Sequence, residues 1–521
     1  MLSVILWITR NIIPHRGVKG KELCAAAGGR TEPPMKKTLI TIAGFAVLLF
    51  ALLGAARLLE RARPEESAAA SDEPAQEEAA LWEQTPDADG ATLIRLGGDY
   101  VTVRGAGAVV SAGNVVTIAY PGVYSVTGLL SDGCIVVDCE LEGTVSLILD
   151  NAHISCSTGP AIYIRDTAGT LVYLADGTQN SLSDGTVYEP VTGADGLPEA
   201  KQPDAVLYSA DDLALAGGGT LTIRAGYDSA VHSRDRLTIA GGELTVESAG
   251  DGVRAADGVT MLGGTLALRC TDDGVASSKK DVRIRDGALT VFCGGDAVSA
   301  GREVEISGGS VTVNSSREGL EAPVISLSGG SVSVTAADNA LAASMGDVDS
   351  GVTAADCSVR ISGGTLYTLA PCCVRSDGGF ELTDGAAFLR SSENGKPVRA
   401  LWSTVSGGTL FLCGDFETEG LTFDGGVNAV YWRVDSVVEA GETVSLADET
   451  GEAFYALTPN TEFSAVLIAY GGLVRGGSYT LSCGSQTASF TQNDALSTAE
   501  AVRGWGGFGG PSGGPGGGPR P

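Results

Sequence analysis

The chain has 521 residues, with 34 Lys and Arg set against 63 Asp and Glu, and the resulting formal charge of -29 argues against nucleic acid or an anionic membrane surface as a partner. With 74 Gly and only 6% aromatic residues, the composition suits narrow stacked coils with small residues at the bends, and an elongated solenoid uses most of such a length as one body. A neutral polymer, or an acidic one bridged by metal, stays open as a partner.

Residues 1–34 hold an apolar run, Leu2 to Trp7, that is too short to span a bilayer, and then turn basic and Gly-rich. At Met35-Lys36-Lys37 two lysines precede Thr38 to Leu59, an apolar stretch charged only at Arg57. A run of about 20 apolar residues behind lysines is a secretory signal or an N-terminal membrane anchor. Translation is therefore expected to begin at Met35, with residues 1–34 an upstream extension. The remainder is expected outside the cell or on its surface. Residues 60–98, rich in Ala, Glu, Asp and Pro, read as a flexible acidic linker.

Alternating aliphatics begin near Tyr100, and Val145/Leu147/Leu149, Ile162/Ile164 and Val172/Leu174 mark early coils. The stretch from Thr186 to Pro203 lacks alternation and reads as a protruding loop. From Gly217 to Ala343 a repeat takes over: Gly241-Gly242, Gly263-Gly264, Asp286-Gly287, Gly308-Gly309 and Gly329-Gly330 follow at steps of 22, 23, 22 and 21. Aliphatics alternate on both sides of each pair, as in Val282/Ile284 and Leu289/Val291, which gives two short strands joined at a tight bend. A fixed period of this size without an amphipathic helix is a solenoid of strands and bends. A leucine-rich repeat is excluded because its Leu/Asn frame is missing, and a calcium-binding nonapeptide roll because the period is wrong. The frame continues at Gly363-Gly364, Asp384-Gly385 and Gly407-Gly408, after an insertion at about Ser344 to Ala355.

The expected fold is all-β, a parallel β-helix with about 22 residues per coil over residues 99–425. A β region over 426–495 would cap its open end, and the Gly/Pro-rich residues 496–521 read as a disordered tail.

A second column carries charge. Asp251, Asp273, Asp296 and Glu318 recur in step with the glycines, flanked by Ser229 and Asn339. Neighbouring coils lie about 4.8 Å apart, so adjacent carboxylates would repel by roughly 1 kcal/mol in water and about 3 to 4 at a surface dielectric near 20. Raised pKa values would relieve this, and so would Ca²⁺, which takes six to eight oxygen ligands, with Asp272 and bend carbonyls as further donors. A third reading is that Asp-Gly is simply turn chemistry repeated with the turn.

The segments Gly122-Val123-Tyr124-Ser125-Val126-Thr127-Gly128 and Leu147-Ile148-Leu149-Asp150-Asn151, then Leu174 to Gly185 (Leu-Ala-Asp-Gly-Thr-Gln-Asn-Ser-Leu-Ser-Asp-Gly), Ala205 to Leu213 and Leu473 to Leu481 resemble a family of exported bacterial carbohydrate-binding domain-containing proteins. The resemblance runs from about Tyr100 to Asp494 and departs from the family at Ala210 and Ser229-Ala230. It implies a right-handed parallel β-helix similar to that of pectate lyases, calcium between coils, and binding of plant cell-wall polysaccharide.

Candidate metal ligands are accordingly Asp251, Asp272, Asp273, Asp296 and Glu318, and the candidate glycan surface is the group Tyr163, Tyr173, Tyr188, Tyr208 and Tyr227 near the 186–203 loop. Cys270 and Cys293 each precede a column carboxylate by three residues and should stack, as a disulfide or as two small buried residues, and Cys134 and Cys156 share that spacing. A lyase needs an Arg or Lys base, and Lys279, Lys280, Arg283 and Arg285 crowd near Asp273. They fall in a single coil, so a solvated basic loop and a non-catalytic binding protein are the favoured reading. A lyase and a surface adhesin or stalk are the alternatives.

Overall fold

Alternating aliphatics cannot bury both sides of a strand, and a glycine bend every 22 or 23 residues returns each strand to lie beside its predecessor. In the computed structural model, which describes residues 85–192, 198, 202–345, 353–418 and 420–501, that is how the chain is built. In one coil, Leu237–Ile239 leads to the bend at Gly241-Gly242, then Glu243–Ser248, a corner at Asp251-Gly252, and Val253–Ala255. Val259–Met261 opens the next coil. Leu237 pairs in parallel with Val259, Leu244 with Leu266 and Val253 with Val275, which defines three parallel ladders around one core. About 12 such turns form a β-solenoid with a repeat of about 23 residues.

Leu237, Val282, Val304 and Ile325 all point inward and are at most 1% exposed. The second glycine of each bend shows why the pair tolerates Asp only in first place. Gly264 and Gly287 have φ of +79° and +92°, and a Cβ on either would sit 2.7 Å from a carbonyl oxygen of the coil before. Asp286 and Asp384 fill the first position, where their own carboxylates accept the following glycine N–H at 2.7 Å.

The solenoid begins earlier than its pattern suggests. Thr92–Gly98, expected in the linker, is a strand paired in parallel with Gly122–Leu130 and antiparallel with Val101–Arg104. At the other end, Phe463–Ala469 pairs antiparallel with Thr409–Gly414, so the last coil is covered rather than left as an open edge. Trp432, Val466, Ile468 and Leu481 form a separate core there. This cap runs past residue 495, because Leu496–Thr498 pairs with Ala429–Val438. The apolar segment, most of the linker and residues 502–521 lie outside the described residues. Among the described residues no helix is long and apolar enough to cross a membrane.

Candidate functional site

In a three-residue strand such as Val253–Ala255 the two ends face the core and the middle residue faces out. On the third ladder the outward residues stack in register as Tyr163, Tyr208, His232, Arg254, Ala276, Ser299 and Glu321. Inward positions of this ladder are uniformly aliphatic or small, whereas the outward file changes character along its length. Ala276 and Ser299 leave a trough in the middle. Two cavities of about 540 and 510 Å³ share Asp273, Ser277, Ser278 and Ser299 and so make one groove along the solenoid axis. From Tyr208 to Glu321 it spans five coil steps, roughly 24 Å at about 4.8 Å per step.

One wall is the corner that carries Asp251, Asp273 and Asp296; the other is the turn bearing Arg234, Ser278 and Lys279. At the basic end, the His232 Nδ1–H donates to Asp204 Oδ1, and Arg254 Nη2 donates to Asp204 Oδ2. Arg254 Nη1 also reaches Asp251 Oδ2 at 3.5 Å. Burial pushes the Asp204 carboxyl up, but the His232 hydrogen bond and the His232 and Arg254 charges outweigh it and hold the group below its usual range. The ring of Tyr208 meets His232 edge-on at 5.2 Å. With Nδ1 committed to Asp204, Nε2 is the nitrogen of His232 left to accept a proton.

The carboxylate column forms one wall as a hydrogen-bonded ladder. Asp251 Oδ1 accepts the Asp273 N–H at 3.1 Å, and Asp273 Oδ1 accepts the Asp296 N–H at 2.8 Å. The remaining Asp273 oxygen accepts from Ser299 Oγ at 3.1 Å, and Arg317 Nη2 donates to Asp296 Oδ2 at 2.9 Å. Burial, then the Asp273 charge, raises Asp251 to about 6. Burial, then a hydrogen bond with Glu321, raises Asp296 to about 8. Glu318 is also raised, by burial and by the charge of Glu321.

The column does not fit a calcium ion along its whole length. Asp251 and Asp273 spend their oxygens on protein donors, Asp272 is exposed, and among the described residues no three His, Cys, Asp or Glu side chains converge as a metal site. At the acidic end Glu318 Oε2 is a buried carboxylate oxygen of the column without a hydrogen-bond partner among the described residues, whereas Asp296 Oδ1, though it accepts no hydrogen bond, lies 2.9 Å from Arg317 Nη2 in an ion pair.

The tyrosines do not make one surface. Tyr163 and Tyr208 are 7% and 3% exposed and pack in a small cluster with Val136, Val191 and Ala210, so they are covered rather than presented to solvent. Tyr188 and Tyr227 stack on each other at 4.1 Å, with Tyr188 donating to Asp184 Oδ2. Tyr173 lies on another ladder beside Leu171 and Ala214. Tyr208 alone of the five lines the groove. Of the basic residues near Asp273, Lys279 lines the groove and pairs with Asp257 at 3.2 Å, while Arg283 is on the first ladder, bound to Asp281 and Glu305. Cys270 and Cys293 do stack in register as free thiols. Cys134 and Cys156 are on different ladders and meet across a corner.

Asp204, His232, Arg254, Ser299 and Glu321 were not among the expected site residues. The signal was present: His232, Arg254, Ala276, Ser299 and Glu321 each follow the column position by three residues.

A carbohydrate-binding domain-containing protein of Acetivibrio thermocellus is 35% identical over 133 residues, covering 26% of this chain and 45% of the relative. The chain thus matches less than half the length of that relative. A solved polysaccharide lyase-like protein from C. thermocellum, studied as a gadolinium derivative, is 23% identical with a TM-score of 0.35, covering 64% of this chain and 99% of its own. The sequence pattern of the carbohydrate-binding domain-containing protein family matches residues 112–395, more than half of the chain and nearly all of the solenoid that carries the groove, and the chain belongs to that family.

Proposed function

We propose that the protein is a non-catalytic binder of plant cell-wall polysaccharide, pectin or cellulose-like, displayed at the cell surface or released outside it. The observation that supports this most is the continuous groove on the third ladder, whose small-residue floor at Ala276 and Ser299 lies between polar walls. A long, open, polar trough suits a chain laid lengthwise better than a small molecule held end-on. We propose calcium at the acidic end alone, where a cation that displaces the exposed Arg317 guanidinium from Asp296 and Glu318 completes its oxygen shell with an acidic glycan and water. The test is affinity electrophoresis and pull-down on polygalacturonate and on cellulose, each with calcium and with chelator. Retention that Ser299→Trp abolishes supports the groove; retention unchanged by that substitution defeats it.

A second reading is favoured by the His232–Asp204 pair, since an imidazole oriented by a carboxylate is a proton acceptor beside cationic Arg254. Elimination from a uronate polymer would then give 4,5-unsaturated ends. Release of such products by the wild type but not by His232→Gln would replace the non-catalytic reading.

A further inference from the structure

The second ladder, which pairs Leu244 with Leu266, presents its outward residues as a flat face. Four successive rows of it come from Ala288–Cys293, Ser310–Ser315, Ser331–Thr335 and the stretch from Thr365 to Leu369 within Ser358–Ser376. No outward position in these rows carries a charge, on a chain whose formal charge is -29. The floor is made of hydroxyls: Thr290, Thr312 and Ser333 stand in register, with Ser310, Ser331 and Thr365 in the file beside them. Among the described residues none of these six side chains hydrogen-bonds to the protein, so each hydroxyl is left to solvent or to a ligand.

Two aromatic rings bound this floor. Tyr367, 36% exposed, follows Ser333 in the file and stacks on Phe388 of the next coil, with ring centroids 4.7 Å apart and planes within 9°. That separation matches the coil spacing, so one face of the Tyr367 ring rests on Phe388 and the other looks over the short Ser333 side chain. Phe388 packs on the core of the C-terminal cap, and Phe411, next in the file, is buried in it. Tyr367 is thus the free end of an aromatic stack rooted in the cap, fixed before any ligand arrives. At the far side Phe292, 44% exposed, carries the Arg269 guanidinium 4.5 Å over its ring. Three coil steps, roughly 14 Å, separate the two rows. Ser and Thr on a solvent-facing strand follow from propensity; an exposed Tyr held by the cap does not.

We propose that this face is a second carbohydrate-binding site, for a single neutral glycan chain, in which a pyranose ring stacks on the free face of Tyr367 and its hydroxyls bond to the Ser and Thr floor. The inference rests on the reading that the protein holds polysaccharide, but the face lies on a different ladder from the groove. A pyranose ring turns weakly positive C–H groups toward the electron-rich face of an aromatic ring, and its edge hydroxyls both donate to and accept from a hydroxyl floor. A uronate fits worse. The cations of the flanking rows are committed, Arg269 to the Phe292 ring and Arg390 to Thr368 O and Asn460 Oδ1, so nothing on the face offsets a carboxylate brought to a chain at -29. Because the Tyr367 ring stands up from the sheet, it holds a flat crystalline surface off the floor and admits a single chain lying along the strands.

The experiment titrates the full chain carrying Ser299→Trp, in which the groove is filled, with soluble cellohexaose by calorimetry, and with hexagalacturonate as the charged counterpart. Cellohexaose should bind, and hexagalacturonate at least about tenfold more weakly. Adding Tyr367→Ala should weaken cellohexaose about tenfold, whereas Tyr367→Phe keeps the ring and should keep the affinity. Should Tyr367→Ala disturb the stack, Ser333→Tyr decides: it retains Tyr367 and lays a second ring over its free face, and binding should be lost. Cellohexaose that fails to bind the groove-filled protein, that binds Ser333→Tyr as well as its parent, or that binds no better than hexagalacturonate overturns the proposal. The groove is judged separately, by retention of the wild type on polygalacturonate, so the two readings fail on different results.

Discussion

Asp251 offers the sharpest test of what the column does. Its side chain is 13% exposed, and burial with the neighbouring Asp273 raises its carboxyl from 3.8 to about 6. At about 1.36 kcal/mol per pKa unit, a shift near two units is worth about 3 kcal/mol of differential stability. The sign follows from proton counting. Below the unfolded value both states hold the proton and the full contribution is present. As pH rises, the unfolded chain releases its proton first while the native one keeps it, so the free energy of unfolding falls until the native group ionises near 6. Asp204 works the other way, since its lowered carboxyl contributes stability above the unfolded pKa that is lost in acid as pH falls through the folded value. Asp251→Asn isolates the first effect, because the amide oxygen can still accept the Asp273 N–H while no charge develops. A solenoid opens in parts, so the measurement is local: hydrogen exchange at the Asp273 amide, corrected for intrinsic rate, between pH 4 and 7 in metal-free buffer. The wild type should lose protection by about two orders of magnitude relative to Asp251→Asn across that window. Equal pH slopes in the two proteins, or a wild type that gains protection, would refute the account of the ladder.

Ser299→Trp fills the groove floor from an outward, solvent-facing position, so glycan affinity should fall at least about tenfold with an unchanged circular dichroism spectrum. Arg254→Met keeps the aliphatic stem but removes the charge that pins Asp204 and Asp251. NMR titration should show the Asp204 carboxyl moving up toward its ordinary range, and binding of acidic glycan should weaken more than binding of neutral glycan. Gly264→Ala forces a side chain into a φ of +79° and against Gly242 O; a loss of about 1 to 3 kcal/mol in denaturant unfolding is expected.

The coil was readable because one constraint repeats. Each bend needs glycine at positive φ in second place, and each strand needs aliphatics at alternate positions, so Gly264, Gly287, Leu244 and Val282 announce the period. Thr92–Gly98 escaped because it lies next to an acidic, Pro-containing stretch whose composition speaks for a linker. The strand is held by pairing with residues 122–130, which local sequence does not report. The tyrosines misled for a related reason. Tyr163 and Tyr208 are outward on their strands, as expected of a binding surface, but Val191, more than 20 residues away in sequence from Tyr163, packs against their cluster.

The groove itself was harder to see, although its residues sit at a fixed offset from the column. In a stacked coil the inward file is held to aliphatics by the core and the bend is held to glycine by its backbone, so neither can vary much without loss of the fold. The outward file of a ladder bears neither constraint. Thr238 and Thr260 on the first ladder answer to strand propensity and solvent alone, and where that file turns to Arg283 and Glu305 the two charges pair with each other. On the third ladder it instead runs through Tyr208, His232, Arg254, Ala276, Ser299 and Glu321, a sequence of unlike residues in like backbone positions. Strand formation does not call for a His beside an Arg over a shared, partly buried carboxylate, and desolvating those charges opposes folding unless they pair. For the proposed binding role it is this break in the repeat, beside a groove, that carries the signal: a solenoid records its fold in what recurs from coil to coil and leaves room for a site in what does not.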